Sequence, residues 1–357
     1  MTVRQRAIAL GLLGGVLWAS AADTTPEKLI KDGHWKRART LVEARLREAP
    51  DDPLANFFLS QIRNAFGDHE SPLPLAEKAV ALDGAVAKYH RQVAEVLGVM
   101  AQHAGLWQQL MLARRFHKEI DTALMLDPRD IQALRDLMEF YLLAPGVAGG
   151  DDHKAASTAD RIGAIDPVEG FLAQARLAEF HKQPDKREEF LKKAAESQPP
   201  RYQPQMELAQ FYLSRDHFNA AAAERYARAA HMLDPSRVPA YAALAEVYAE
   251  AGNWTELDST LTAAAREVPD DLTPYYRAAE RLFASGRDLP RAERYVRTYL
   301  SQEPEGNAPT LAEAHWKLGL VLEKEMRNAE ATSEWKESVK LDRGSPATRE
   351  LKRYLRR

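Results

Sequence analysis

The chain has 357 residues, 28% of them charged and 45% hydrophobic, the composition of a folded protein rather than a disordered one. Its 49 Lys and Arg stand against 52 Asp and Glu, a net charge of −3, so there is no general positive field to gather nucleic acid or anionic lipid, and a nucleic-acid partner is disfavoured. Cysteine is absent, which removes disulfides, thiolate metal sites, a cysteine nucleophile and a lipid-anchoring cysteine, and leaves stability to packing alone.

Residues 1–21 read as a secretory signal. Arg4 and Arg6 precede an apolar run from Ala7 to Trp18, and "ASAA" supplies the small residues a signal peptidase needs, with the cut after Ala21. The rival reading is a retained anchor, but the run makes only about 18 Å of helix against a hydrocarbon core of about 30 Å. A periplasmic or secreted location is therefore expected. Cleavage would take the net charge to −5, since two basic residues and no acidic one are lost. No later segment approaches the roughly 18 apolar residues that span a bilayer, so no integral membrane span is expected.

Downstream, one phrase closes successive helical patterns: "REAPDD" at Pro50, "ALDG" at Gly84, "MLDP" at Pro128, "AIDP" at Pro167, "SQPP" at Pro199, "MLDP" at Pro235, "EVPDD" at Pro269, "SQEP" at Pro304 and "KLDR" at Arg343. The intervals are 34, 44, 39, 32, 36, 34, 35 and 39 residues. Within units, small residues and aromatics recur at fixed slots: Leu318, Gly319, Ala331 and Trp335 in the last, Tyr241, Leu244, Ala245, Tyr248 and Gly252 around "AYAALAEVYAEAGNW", and Ala223, Ala227, Ala230 and Pro235 in "ERYARAAHMLDP". Small side chains let one helix nest on another at about 8 Å.

On these residues the chain resembles the tetratricopeptide-repeat family from about Pro26 to Arg343. The resemblance implies an all-α fold, a right-handed superhelix of helical hairpins whose first helices line a concave face. About eight repeats plus a truncated first unit, "LIKDG" then "WKRARTLVEARLREAP", would fill 22–343. The interval of 44 holds about ten extra residues without a loop, so an elongated hairpin is expected at 86–127, with helices of roughly 20 residues meeting near Gly105 and protruding from the stack. The unit "GFLAQARLAEFHKQPDKREEFLKKAAESQPP" fits loosely. Residues 344–357, "GSPATRELKRYLRR", form a capping helix with Ser345 as N-cap and basic residues at its C-terminal end.

The segment "YLLAPGVAGGDDHKA" has the glycines and the lysine of a phosphate loop but not its setting. A helical pattern precedes it, Ala155 follows Lys154, and Asp151 and Asp152 occupy the helix start where an anion would sit. The Gly-rich 142–153 stretch is instead an intra-repeat turn about five residues longer than usual, closed by Pro145 and reopened by Asp151 or Asp152. As an extended surface loop it is a candidate contact point, as is the long hairpin.

Catalytic and metal chemistry find little support. No H-E-x-x-H pair and no G-x-S-x-G elbow occur, His117 and Asp121 read as an i,i+4 pair, and Asp51-Asp52 and Asp270-Asp271 fall where helices are capped. Arg349, Lys352, Arg353, Arg356 and Arg357 read as a solvated helix face. No catalytic residue, metal or cofactor is expected.

In the family, the row just past the first slot of each leading helix faces the groove. Here it reads Phe57 and Gln61, Arg91 and Glu95, Arg135 and Glu139, Met206 and Gln210, Ala242 and Glu246, Tyr276 and Glu280, Trp316 and Leu320. Chaperone-binding members grip a C-terminal carboxylate with Lys then Asn four residues on; no such pair stands here, and the glutamates would repel it. The expected function is a non-catalytic scaffold of the bacterial cell envelope that binds a protein or peptide through its concave face, as a monomer or weak oligomer. The alternative is a glycan-binding or glycan-processing envelope protein, with Tyr276 and Trp316 as stacking surfaces. A self-assembling structural protein would need a more apolar capping helix than "RELKRYLRR".

Overall fold

A computed structural model describes residues 25–68 and 70–354; residues 1–24, where a signal is expected, His69 and residues 355–357, with Arg356 and Arg357 of the basic cluster, lie outside the described residues. Among the described residues the chain is all helical, with no strand. Consecutive α-helices pair into nine hairpins. The first four are α1 (Pro26–Asp32) with α2 (Trp35–Glu48), α3 (Pro53–Ala65) with α4 (Pro72–Leu82), α5 (Ala87–Gln102) with α6 (Leu106–Leu126), and α7 (Ile131–Leu143) with α8 (Asp152–Ile165). Next come α9 (Pro167–Phe180) with α10 (Pro184–Glu196), α11 (Tyr202–Leu213) with α12 (Ala220–Leu233), and α13 (Val238–Ala251) with α14 (Trp254–Glu267). The last two are α15 (Thr273–Ser285) with α16 (Leu289–Tyr299) and α17 (Leu311–Lys324) with α18 (Asn328–Leu341), followed by α19 (Ala347–Tyr354).

The recurring proline phrase has a local cause. Asp166 ends α8 and starts α9, accepting from the amides of Val168 (2.9 Å) and Glu169 (3.4 Å), while Pro167 enters the first helical turn. Asp52, Asp130, Asp151 and Asp288 cap α3, α7, α8 and α16 in the same way, and Thr310 with Glu313 forms a capping box on α17. Between these stops each helix buries one stripe on its neighbours, so the core is a continuous seam rather than a single centre.

The last hairpin illustrates the close nesting. A β-carbon on Gly319 would stand 2.3 Å from Nε1 of Trp335, which is fully buried and donates to the Trp316 carbonyl at 3.3 Å. Gly319→Ala is accordingly expected to cost about 1–3 kcal/mol by overpacking, read as a lower urea midpoint at unchanged m-value. α19 closes this end, with Tyr354 edge-on to Trp335 and the Oγ of Ser345 accepting from the amide of Ala347 at 3.2 Å.

The long hairpin turns at Gly105, with 16 residues in α5 and 21 in α6, so α6 takes most of the insertion. Its tip leaves Leu106, Trp107 and Met111 exposed. The Gly-rich segment is a turn: Gly146–Ala148 make one 3-10 turn, the amides of Ala148 and Gly150 bond back to the Pro145 carbonyl, and Asp151 accepts from the Lys154 amide at 3.0 Å. Those amides are spent on the turn itself.

One step departs from uniform stacking. α13 is buried nearly all round, and Ala240, Ala243, Ala245 and Ala249 let it lie along α15, while α14 touches α15 little. Beyond this step the array comes round to its own beginning. The Lys36 ammonium donates to the carbonyls of Asp270 and Glu303 (2.7 Å to the latter), Arg37 pairs with Asp270, and Arg39 grips Glu303 with two bonds of 2.9 and 2.6 Å. The Asn307 amide donates to the Ala65 carbonyl at 2.7 Å. The concave face is therefore closed into a ring by the first unit, where the sequence implied an open groove.

Candidate functional site

Closure creates a chamber. The corner between α1 and α2 (Asp32 to Trp35) and the 305–308 loop lie over the inner helices α11, α13 and α15, and together they border a half-open cavity of about 520 Å³. Met206 and Gln210 from α11, Ala242 and Glu246 from α13, and Arg277 from α15 face into it. A volume of this size lies within the range of about 300–1,000 Å³ that small-ligand sites occupy.

The chamber is acidic at its closed side. Glu305 is only 4% exposed; its Oε2 accepts from the Lys36 amide at 2.9 Å, whereas Oε1 has no hydrogen-bond partner. Burial, with the charges of Asp271 and Asp270 adding to it, pushes the Glu305 carboxyl up to about 7. Burial also raises Asp271, whose side chain accepts from the Thr273 amide at 2.9 Å. His34 is buried nearby and held below its usual value by burial and by Arg37. On the facing wall Glu246, raised by burial, accepts from Arg281 at 3.0 Å, and Arg281 also donates to the Leu213 carbonyl at 3.0 Å, tying α11, α13 and α15 together.

Two further hollows lie along the inner face. One, of about 370 Å³, sits between α5, α6 and α7 and includes Glu95, Asp136 and Glu139; the other, of about 260 Å³, includes Arg135, Glu139, Arg176 and Glu207. Burial raises Glu95, Glu207 and Asp136, the last to about 7.

The row taken from the sequence divides. Met206, Gln210, Ala242 and Glu246 meet in the chamber, Glu95 and Glu139 in the first hollow, and Arg135 in the second. Phe57 and Tyr276 do not face the groove: each is 3% exposed, Phe57 packed on Tyr89 and Tyr276 on Tyr299, at ring separations of 5.4 and 5.0 Å. Tyr276 thus offers no stacking surface. Trp316 and Leu320 are half-buried against the core, with the Lys317 ammonium over the Trp316 ring. Glu280 pairs with Arg277 at 2.8 Å and Lys317 at 3.3 Å, Arg91 stands 3.7 Å from Glu95, and Gln61 is half-buried on α3.

Sequence reasoning missed Glu305, Asp271, His34, Arg277 and Asp136. A signal existed for the first: the final interval of 39 residues is four longer than the 35 before it, and the 304–310 connection holds them. His117 and Asp121 form the i,i+4 pair at 3.7 Å, and among the described residues no three His, Asp or Glu side chains converge as metal ligands. Arg353 of the basic cluster pairs with Glu323 (2.7 Å) and Glu350 (2.9 Å).

No protein-family model matches the chain, and no curated protein sequence matches it. Among solved structures it is similar to a thermophilic TPR protein of Thermus thermophilus, at 20% identity over 53% of this chain and 96% of that one, with a TM-score of 0.46. It is also similar to yeast Tom70, at 13% identity over 88% and 83% of the two chains with a TM-score of 0.46, and to PilF of Pseudomonas aeruginosa, at 16% over 64% and 97% with a TM-score of 0.35. By its paired helices, its spacing and its small-residue contacts, the chain is in fold a solenoid of tetratricopeptide-type helical hairpins, bent until its first unit closes on its eighth.

Proposed function

We propose that the protein is a non-catalytic scaffold of the bacterial cell envelope, exported by its N-terminal signal, that holds a segment of a partner protein on its inner face. The observation that carries this reading is the chamber: rigid inner helices present Met206 and Ala242 beside Gln210, Glu246 and Arg277, an apolar floor with polar groups at its rim. Such a wall is ordered before binding, so little entropy is lost when a segment lies in it. The acids that line it are already engaged in ion pairs or capping bonds, apart from Glu305 Oε1, which is an arrangement for recognition rather than for proton transfer. Burial of Tyr276 leaves only the half-buried Trp316, with the Lys317 ammonium over its ring, of the two stacking surfaces named for a glycan.

A photo-crosslinking residue placed at Gln210, which is exposed within the chamber, is expected to capture a partner that the same residue at Met232, exposed on α12 and not among the chamber-lining residues, does not. Gln210→Trp, which narrows the chamber, should reduce partner recovery. Equal capture from both positions would overturn the assignment of the inner face.

A further inference from the structure

Adjacent inner helices are joined by a ladder of opposite charges. Glu139 on α7 takes two bonds from Arg176 on α9 (2.5 and 2.9 Å), Glu246 on α13 pairs with Arg281 on α15, and Glu280 on α15 pairs with Lys317 on α17. Between α5 and α7 the ladder changes sign. Glu95 on α5 meets the field of a second acid, Asp136 on α7, and not that of a base on that helix.

The local cations do not make good the deficit. Arg91 is 3.7 Å from Glu95 and 3.6 Å from Asp130, and its Nε has no hydrogen-bond partner. Arg135, next to Asp136 in sequence, is paired with Glu169, and Arg176 is taken by Glu139. Asp136 is half-buried: Gln132 donates to Oδ1 at 2.9 Å, and Oδ2, itself buried, has no partner. Across Arg91, Glu95, Asp130 and Asp136, three carboxyl groups share a single guanidinium. The hollow of about 370 Å³ opens beside them, and from α6 it receives only the neutral Gln109 and apolar groups such as Leu112 and Phe116, with Pro145 and Ala148 of the Gly-rich turn on the far wall.

We propose that this hollow is a binding pocket for an organic cation on an apolar stem, the side chain of a lysine or arginine in the partner segment. The charged head sits between Glu95 and Asp136 and supplies the missing rung, while the stem lies on Leu97, Leu112 and Phe116. A long cationic side chain has this build, an apolar stem that covers hydrophobic surface and a charged tip. A divalent metal would need about six oxygen ligands, and two carboxylates over an apolar floor do not offer them. Burial raises the Asp136 carboxyl first, and the charge of the facing Glu95 adds to it, so a cation bound between them would favour the ionised form. The peptide source rests on the proposed scaffold function; the pocket's preference for a cation does not.

The test is isothermal titration calorimetry of the purified protein at pH 6, 7 and 8. The probes are an acetylated, amidated leucine-lysine-leucine tripeptide, the same peptide with norleucine for lysine, and free hexylamine. The lysine peptide should bind at least about tenfold more tightly than the norleucine peptide, the scale of one charge-assisted contact. Its affinity should rise about tenfold from pH 6 to pH 8 with release of a proton, because the cation selects the ionised Asp136. Asp136→Asn and, independently, Glu95→Gln should each lose this preference and the pH dependence while keeping wild-type helicity.

Equal binding of the two peptides, or unchanged binding by Asp136→Asn, would overturn the pocket. Hexylamine binding as tightly as the tripeptide would overturn the peptide source. The crosslink at position 210 separates the two readings. Its retention in wild type alongside indifference to lysine sinks the pocket alone, and its absence alongside lysine-dependent binding sinks the chamber reading alone.

Discussion

Gly306→Val should open the ring without unfolding the hairpins. A β-carbon at Gly306 would stand 2.8 Å from Cγ of Trp35 and 3.0 Å from Cβ of Ala65, the two residues on which the 305–308 loop rests. Trp35 is half-buried against the core of the first two hairpins while the 305–308 loop is held by few bonds, so the loop is the part expected to lift. Lifting breaks the Asn307–Ala65 and Lys36–Glu305 bonds. The magnitudes are of the same order, so the expected result is a partly opened population. Overpacking of this kind costs about 1–3 kcal/mol. The closure it opposes consists of partly exposed ion pairs at about 0–1 kcal/mol each and a few hydrogen bonds at about 1 kcal/mol net. Small-angle scattering should show a larger maximum dimension for the variant, with circular dichroism unchanged. A scattering profile identical to wild type would show that closure does not depend on this contact.

The second large effect is on stability as a function of pH. Glu305 is protonated in both states below about pH 4.5, its unfolded value, and contributes nothing there. Between pH 4.5 and about 7 the folded chain keeps a proton that the unfolded chain has lost, so stability falls as pH rises; above about 7 the penalty is constant. A shift of this size corresponds to at most about 3 kcal/mol. Asp136 acts with the same sign over a window from 3.8 to about 7.

Capping carboxylates act in the opposite direction. In Asp52 and Asp166 bonds from backbone amides and from Arg45 and Arg201 outweigh burial and hold the carboxyls below 3.8, so their stabilisation is lost only as pH falls through that lower range. Maximum stability is therefore expected near pH 5, with a fall toward pH 8. In urea melts Glu305→Gln should gain stability at pH 8 and lose part of the slope, and Asp136→Asn should lower the remainder, to which Glu95, Glu207, Glu246 and Asp271 also contribute. A Glu305→Gln chain with the wild-type slope would show that this carboxyl is ionised throughout.

The repeat and its stops were legible because they are local. A helix ends where Asp and Pro replace the apolar stripe, and the same Asp caps the next helix two or three residues on, as at Asp166. Tight nesting is legible for the same reason, in Gly319 opposite Trp335 within one hairpin. The inner row was read one helical position out at Tyr276, which packs inward on Tyr299 while Arg277 beside it enters the chamber. One residue is about 100° of helix, and hydrophobic spacing fixes a face only to about that width.

What the sequence by itself determined is the number, order and pairing of the helices, since each depends on signals a few residues apart. Only the tertiary structure decided where the array stops being a groove. Lys36 meets Glu303 across 267 residues, and that meeting depends on small rotations summed over every intervening hairpin and on the α13–α15 step. The same summation left Oε1 of Glu305 without a partner in the chamber and Asp136 opposite Glu95, because the charge a buried acid meets is set by its neighbours in space and not by those in the chain.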